Sequence, residues 1–269
     1  MITFPSCKIN LGLQVTSKRP DGFHELISCF YPIPLQDILE IIPAQKLSFS
    51  QSGLSIPDDG KKNLCVRAFE LLRAEYDLPL VAIHLHKIIP IGAGLGGGSS
   101  DAAYLLSTLN KIFNIGLSVE QLRSYASQLG SDCAFFVSEQ PMLVTGRGET
   151  LNAIPVSLTG KFIVIVQPPV FVSTREAYTQ ITPKQPEVDL KSFLLNTPVS
   201  EWRVHLVNDF EKFGFPKYPA IREVKDKLYQ QGALYASMSG SGSAVFGIFD
   251  SAVDIRPVFP GMFYWSSTL

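Results

Sequence analysis

Five glycines, Gly92, Gly94, Gly96, Gly97 and Gly98, fall within seven residues and run directly into Ser99 and Ser100. Glycine lets a backbone approach a ligand closely and take up positive φ angles. A strand-like stretch, Val81 to Lys87, precedes the loop, and Ala102, Leu105, Leu106, Leu109 and Phe113 follow it at helical spacing. The loop therefore feeds a helix N-terminus, where free N–H groups and the helix dipole make a receptor for phosphate oxygens. Ser99 and Ser100 add hydroxyl donors at the same end. Ordering so many glycines costs conformational entropy, which a bound phosphate accounts for better than a bare loop does.

Two commoner motifs share these letters. Gly92-x-Gly94-x-x-Gly97 matches the dinucleotide fingerprint, but that fold needs an acid ending a second strand about 20 residues on. Residues 112–122 here read as a helix end and a new helix start, with Glu120 inside the latter. Gly92 and Gly97 also have P-loop spacing, yet the next residue is Gly98 and not the lysine that reaches the β- and γ-phosphates.

The elements that must position this loop can be read from patterning. Ile9, Leu11, Leu13 and Val15 alternate with Lys8, Asn10, Gly12 and Gln14, which predicts a half-buried strand with Lys8 and Asn10 on its polar face. Arg19-Pro-Asp-Gly22 is a turn signal before a second strand from His24 to Tyr31, and residues 47–62 read as a turn-rich loop. Asn63 caps a helix running to about Tyr76. Ser118 to Gln121 is a capping box, Gly130 is placed as the C′ glycine ending that helix, and Asp132 follows in a tight Gly-Ser-Asp turn. Strands are expected at 161–166, 234–237 and 244–249 and a helix at 220–231. The stretch 183–198 is polar and proline-punctuated, and no full helix is expected after Asp250. The mixed order of strands and helices predicts an α+β fold. A boundary near residue 155 divides the chain into 1–155 and 156–269, each with one Gly/Ser-rich loop, the second being Ser239-Gly-Ser-Gly242.

Composition narrows the function classes. Of 269 residues, 46% are hydrophobic and 17% charged, which is globular and not disordered. A net charge of -1 gives no whole-chain attraction to nucleic acid or anionic membrane. Cys7, Cys29, Cys65 and Cys133 contain no Cys-x-x-Cys pair, so they read as reduced, buried thiols. His84 and His86 share a strand face but have no carboxylate or cysteine at ligand spacing, so they read as strand surface and not a metal site. No signal-like segment or membrane-length apolar run is visible, so a soluble cytoplasmic protein is expected.

The segment Pro90-Ile91-Gly92-Ala93-Gly94-Leu95-Gly96-Gly97-Gly98-Ser99-Ser100 resembles the phosphate loop of the GHMP kinases, the galactose, homoserine, mevalonate and phosphomevalonate kinases. Cys7-Lys-Ile-Asn-Leu11, Arg19-Pro-Asp-Gly-Phe-His24 and Gly130-Ser-Asp-Cys-Ala-Phe-Phe136 are similar to the branch of that superfamily acting on 4-diphosphocytidyl-2-C-methyl-D-erythritol. Ser239 to Phe246 fits its third motif, so the matches run in order from residue 7 to residue 246. The resemblance implies a two-domain α+β fold with ATP and substrate in the cleft between domains. It implies ATP-dependent phosphorylation of the substrate 2-hydroxyl, in the non-mevalonate route to isoprenoids.

By the same resemblance Lys8 and Asp132 are the catalytic pair. Asp132 would take the hydroxyl proton, and Lys8 would keep Asp132 ionised and stabilise developing charge. Residues 90–100 would hold the ATP phosphates, with Asn63 and Lys87 near the adenine. Asn10 would lie near the substrate phosphates or the transferred group, His24 would hydrogen-bond the cytosine, and Phe23 and Tyr178 would cover its two faces. Thr174 belongs to the substrate side. Mg²⁺ would arrive with ATP, and Ser100 is the one side chain suggested for it. The partner implied is a small molecule with a cytidine diphosphate moiety, with no nucleic acid or membrane, acting on a monomer or homodimer.

The sequence departs from the family pattern at Cys7 for alanine, Phe23 for tyrosine and Cys133-Ala134 for Val-Pro, none of which removes a catalytic group. A homoserine- or mevalonate-type kinase, a non-catalytic nucleotide-binding regulator and a nucleic-acid-binding module are the alternatives. The His24 segment argues against the first, retention of Lys8 and Asp132 against the second, and the near-neutral charge against the third.

Overall fold

In the computed structural model, which describes residues 1–56 and 62–269, the period-two apolar runs become strands. They are β1 (Ile2–Thr3), β2 (Ser6–Lys18), β3 (His24–Gln36), β4 (Ile38–Pro43), β5 (Ser48–Gly53) and β6 (Val81–Lys87). Later come β7 (Met142–Thr145), β8 (Thr150–Ala153), β9 (Phe162–Gln167), β10 (Tyr235–Met238), β11 (Val245–Phe249) and β12 (Phe263–Thr268). The helices are α1 (Leu64–Arg73), α2 (Gly97–Ile112), α3 (Val119–Leu129) and α4 (Thr174–Gln180). They continue with α5 (Leu190–Asn196), α6 (Trp202–His205), α7 (Glu211–Lys217) and α8 (Pro219–Gln230), and a 3₁₀ turn covers Cys133–Val137.

The chain forms two compact units, each built from separate stretches. One holds residues 1–7, 35–91 and 96–139; the other holds 8–34, 92–95 and 140–269. A single cut near residue 155 therefore describes sequence halves and not these units, because β3 pairs with β7 and ties the N-terminal strands to the later chain.

The first unit is a sheet of order β1-β4-β6-β5 with helices against it. β4 and β6 are antiparallel, from Ile38 opposite His86 to Pro43 opposite Val81. β5 lies parallel to β6, so residues 48–53, expected as loop, are strand. Polar Ser48, Ser50 and Ser52 give little strand signal; the ladder to β6 imposes the conformation. Residues 57–61 of that expected loop lie outside the described residues. Val81, Ile83 and Leu85 on one face of β6 are buried, and α2 packs on β4. Asn63 caps α1, its Oδ1 accepting from Cys65 N at 2.9 Å. Ser118 and Gln121 close the expected capping box at α3 through bonds of 3.3 and 2.9 Å. Gly130 ends α3 in an extended conformation, φ 179°, and not the left-handed one expected. Crowding is the stronger reason for glycine there, since a Cβ would lie 3.3 Å from Cys133 Sγ.

The second unit contains a sheet of order β10-β11-β9-β12, together with most of the β2-β3-β7-β8 sheet. After Asp250 the chain supplies β12, antiparallel to β9 from Phe263 opposite Gln167 to Thr268 opposite Phe162. Leu13, Val164, Phe210, Ile221, Val224 and Val245 belong to its core. Within the proline-punctuated 183–198 stretch, Asp189 caps α5 by accepting from Ser192 N at 2.8 Å, and Leu190 and Leu194 are buried. β2 is buried on both faces from Ser6 to Leu13, so the half-buried strand expected for Lys8 and Asn10 is corrected. Period two marked the two faces correctly but carried no information about what covers the polar one.

All four cysteines are buried, and none of them is in a disulfide. Burial pushes the Cys29 thiol up to about 12 and the Cys133 thiol to about 11, so both stay protonated at neutral pH. No helix among the described residues is long and apolar enough to cross a membrane.

Asn208 is the polar keystone of the second unit. Its buried Nδ2 donates to the carbonyls of Met238 and Gly240 at 2.7 and 2.8 Å, and its Oδ1 accepts from Phe210 N at 3.0 Å. Asn208→Ala removes three buried hydrogen bonds to the backbone and is expected to destabilise by roughly 3 kcal/mol. Urea unfolding would show a lower midpoint at unchanged slope; a midpoint equal to the parent's would refute the keystone role.

Candidate active site

Gly92, Gly94 and Gly96 have φ of 63°, 80° and 74°, the left-handed region that the loop sequence predicted. Gly96 is the N-cap of α2, so Gly97 to Ser100, expected as loop, form the first turn of the helix. Gly94 allows the closest approach: a Cβ there would stand 1.9 Å from the Ser239 carbonyl oxygen. A Cβ on Gly97 would stand 2.9 Å from both Lys87 Nζ and Ile89 Cγ2. Gly94 and Gly97 are thus closely packed, while Gly92 and Gly98 are exposed. First-turn N–H groups of a 16-residue helix behind such a loop are suited to phosphate oxygens.

In the second unit the first motif, the loop and the C-terminal Gly/Ser segment are tied by hydrogen bonds. Lys8 Nζ donates to Asn10 Oδ1 at 2.6 Å and to the Gly94 carbonyl at 3.0 Å, and lies 4.5 Å from the Phe30 ring centroid. Lys8 N donates to the Leu95 carbonyl at 3.0 Å. Asn10 Nδ2 donates to Ser28 Oγ at 2.8 Å, and Ser239 Oγ donates to the Gly94 carbonyl at 2.9 Å. Lys8 is 3% exposed and Asn10 1%, so both are held by partners and not by solvent.

The first unit, described by itself, holds the helix start and the Asp132 turn. Asp132 is half-buried and begins the 3₁₀ turn at Cys133–Val137. Gly130 packs beside this turn and toward Ser99, whose Oγ would be 4.0 Å from a Cβ at Gly130. Ser100 Oγ and Asp101 Oδ1 are buried and bond no described residue. An unpartnered hydroxyl in the first turn suits a cation carried by phosphates, which takes few protein ligands. Asn63 is half-buried and engaged as the α1 cap.

Lys87 sits differently from the adenine contact expected for it. Its ammonium donates to Asp37, in a short bond, and to Asp101 Oδ2 at 2.7 Å, with only 2% of the side chain exposed. Burial alone would lower the Lys87 pKa, but Asp101 and Asp37 outweigh it and hold the group above its ordinary value. Burial pushes the Asp101 carboxyl up to about 7, against the pull of Lys87 and with Asp37 adding to the rise. Removing one member of a buried ionic cluster of this kind costs about 3–5 kcal/mol.

Of the residues expected on the substrate side, His24 stacks on Tyr178 with ring centroids 5.3 Å apart and planes at 25°. Phe23 is 55% exposed and lies under the Arg147 guanidinium, 4.8 Å from its centroid. Tyr178 thus stacks on His24, while Phe23 follows the turn at Asp21–Gly22 and is exposed. Burial lowers the His24 pKa, with Lys18 adding to the effect, so its imidazole is neutral at pH 7 and offers one donor and one acceptor. Thr174 opens α4 and its Oγ1 lies 2.8 Å from Ser241 Oγ.

Residues 63–140 match the family model for the GHMP kinases N terminal domain, and residues 199–259 match that for the GHMP kinases C terminal domain. A 4-diphosphocytidyl-2-C-methyl-D-erythritol kinase of Bacteroides fragilis is 53% identical over 253 residues, covering 93% of this chain and 92% of the relative. One of Parabacteroides distasonis is 45% identical over 271 residues, covering 100% of both chains. The chain belongs to the 4-diphosphocytidyl-2-C-methyl-D-erythritol kinases of the GHMP family. A crystal structure of a 4-(cytidine 5'-diphospho)-2C-methyl-D-erythritol kinase superposes with a TM-score of 0.83 at 31% identity, covering 99% of this chain and 98% of that one. The α+β GHMP kinase fold expected from the sequence is thereby established.

Three buried polar residues of this GHMP kinase were not singled out from its sequence: Asp37, Asp101 and Asn208. Asp101 directly follows the serines and was legible as a neighbour, whereas Asp37 and Asn208 carry no local signal. A surface cavity of about 740 Å³ in the second unit is lined by Lys184, Lys212 and Lys217. Each of these lysines is already paired, with Glu187, Asp209 and Glu176.

Proposed function

We propose that the protein transfers the γ-phosphoryl group of Mg-ATP to the 2-hydroxyl of 4-diphosphocytidyl-2-C-methyl-D-erythritol. The buried Lys8 ammonium carries this reading: it joins the first motif to the glycine loop through Asn10 and the Gly94 carbonyl, while Ser239 of the third motif bonds the same carbonyl. Three segments remote in sequence thus meet at one carbonyl and set a cation beside it, which suits a site for transferring a phosphoryl group.

The substrate hydroxyl oxygen forms a bond to the γ-phosphorus as the bond to the β,γ-bridging oxygen breaks, and ADP leaves. Asp132 accepts the hydroxyl proton. Lys8 offers positive charge to the transferring group, and Asn10 fixes the lysine's direction. The backbone N–H groups of residues 92–100 bind phosphate oxygens. Mg²⁺ arriving on ATP would neutralise phosphate charge, and Ser100, whose Oγ has no hydrogen-bond partner among the described residues, is the side chain that would turn to it. Neutral His24 reads the cytosine edge and Tyr178 stacks on the base.

Incubation with Mg-ATP and the cytidine substrate should give a new phosphomonoester resonance by ³¹P NMR, equal in amount to the ADP formed. ADP and free phosphate in equal amounts, with the substrate unchanged, would sink the proposal. Tyr178→Ala should raise KM for the cytidine substrate roughly tenfold, with KM for ATP changing by less than about twofold. Steady-state kinetics in both substrates decides it; equal rises would place Tyr178 elsewhere.

A further inference from the structure

The buried cluster of Asp37, Lys87 and Asp101 is more than a patch of core polarity. Asp37 Oδ1 accepts from Ile88 N at 2.6 Å and Ile89 N at 2.8 Å, the residues that lead from β6 into the glycine loop. Asp37 Oδ2 accepts from Lys87 Nζ, which also donates to Asp101 Oδ2 in the first turns of α2 at 2.7 Å. Lys87 Nζ lies so close beneath Gly97 that a Cβ there would approach it to 2.9 Å. The chain entering the loop and the chain leaving it are therefore fastened at one ammonium.

This placement is unfavourable for the helix itself. The N-terminal end of α2 carries the positive pole of the dipole, which opposes a cation beside it. Two carboxylates offset that opposition, and the outcome is geometric: strand end, loop entry and helix start are fixed together. At 2% side-chain exposure the ammonium is covered, so its influence on a nucleotide passes through the backbone it holds.

We infer that Lys87 and Asp101 are positioning residues for ATP: with Asp37 they hold the loop entry and the first turn of α2 in the posture that receives the phosphates. This rests on residues 90–100 being the ATP phosphate loop. Misplacement of such a loop weakens phosphate contacts and leaves contacts to the nucleoside intact. Lys87→Met and Asp101→Ala should each raise KM for ATP roughly tenfold, with kcat at saturating ATP within about twofold of the parent. Asp101→Asn, whose carboxamide oxygen still accepts from Lys87 Nζ, should recover most of the loss.

The deciding measurement is calorimetric titration of the whole protein with ATP and with adenosine, alongside kinetics and a thermal melt of each variant. The expected result is ATP affinity falling roughly tenfold while adenosine affinity moves less than about twofold. Should Lys87→Met fail to fold, the Asp101→Asn and Asp101→Ala pair decides the matter. Equal weakening of ATP and adenosine, or a fall in kcat at unchanged KM, overturns the positioning role. Parent protein that binds adenosine as tightly as ATP overturns the phosphate-loop reading instead.

Discussion

Asp132→Asn is expected to lower kcat by roughly 10²–10⁴-fold while ATP still binds, because the carboxamide keeps the size of the side chain and cannot take a proton. Asp132 starts the 3₁₀ turn Cys133–Val137, whose Phe135 and Phe136 are buried and pack edge-to-face at 5.0 Å. The turn is thus anchored by its apolar residues, and the substitution should leave thermal stability near that of the parent. A variant with equal ATP affinity and equal melting temperature but little turnover assigns the loss to chemistry. Full turnover by Asp132→Asn would remove the proton acceptor from the account.

Gly94→Ala carries the second large effect, and its cause is steric. A left-handed conformation costs a non-glycine residue about 1–2 kcal/mol. Here the new Cβ would also lie 1.9 Å from the Ser239 oxygen, 2.8 Å from its carbonyl carbon and 3.3 Å from Gly242 N. These are backbone atoms, with no flexible side-chain end to swing away. Any adjustment moves the Gly94 carbonyl, which accepts from both Lys8 Nζ and Ser239 Oγ. We expect a melting temperature lower by at least about 5 °C and kcat/KM lower by roughly 10²-fold. Gly98→Ala is the control for stability: its Cβ would meet only Leu64 Cδ1, at 3.8 Å, at an exposed position of the first helical turn. Equal stability of the two variants would contradict the close approach of the two Gly/Ser segments.

The sequence made legible whatever is decided locally. Asn63, Ser118 and Gln121 cap helices through bonds to residues two or three positions away, so the pattern and the structure agree. The glycines of the loop are likewise local, since each positive φ belongs to one residue. What was missed is decided at long range. β5 is strand because β6 lies beside it, and nothing in Ser48-Phe-Ser-Gln-Ser-Gly53 announces that partner. Lys8 and Asn10 are buried because Gly94 and Ser239, remote along the chain, close over them.

The same distinction separates the candidate site into readable and unreadable parts. Lys87 matched a family position, but its ammonium belongs to Asp37 and Asp101, and Asp37 precedes β4 in a stretch without motif. His24 stood out by its place in a motif, but its stacking on Tyr178 could not be read from spacing. Phe23 shows the reverse, an aromatic at a motif position whose surroundings turn it toward Arg147.

The central claim is tested most directly by ADP release with Mg-ATP and, in turn, 4-diphosphocytidyl-2-C-methyl-D-erythritol, homoserine and mevalonate, each run with the parent and with Asp132→Asn. The account predicts turnover on the cytidine substrate alone, lost in the variant. Turnover on homoserine or mevalonate with none on the cytidine substrate would contradict it.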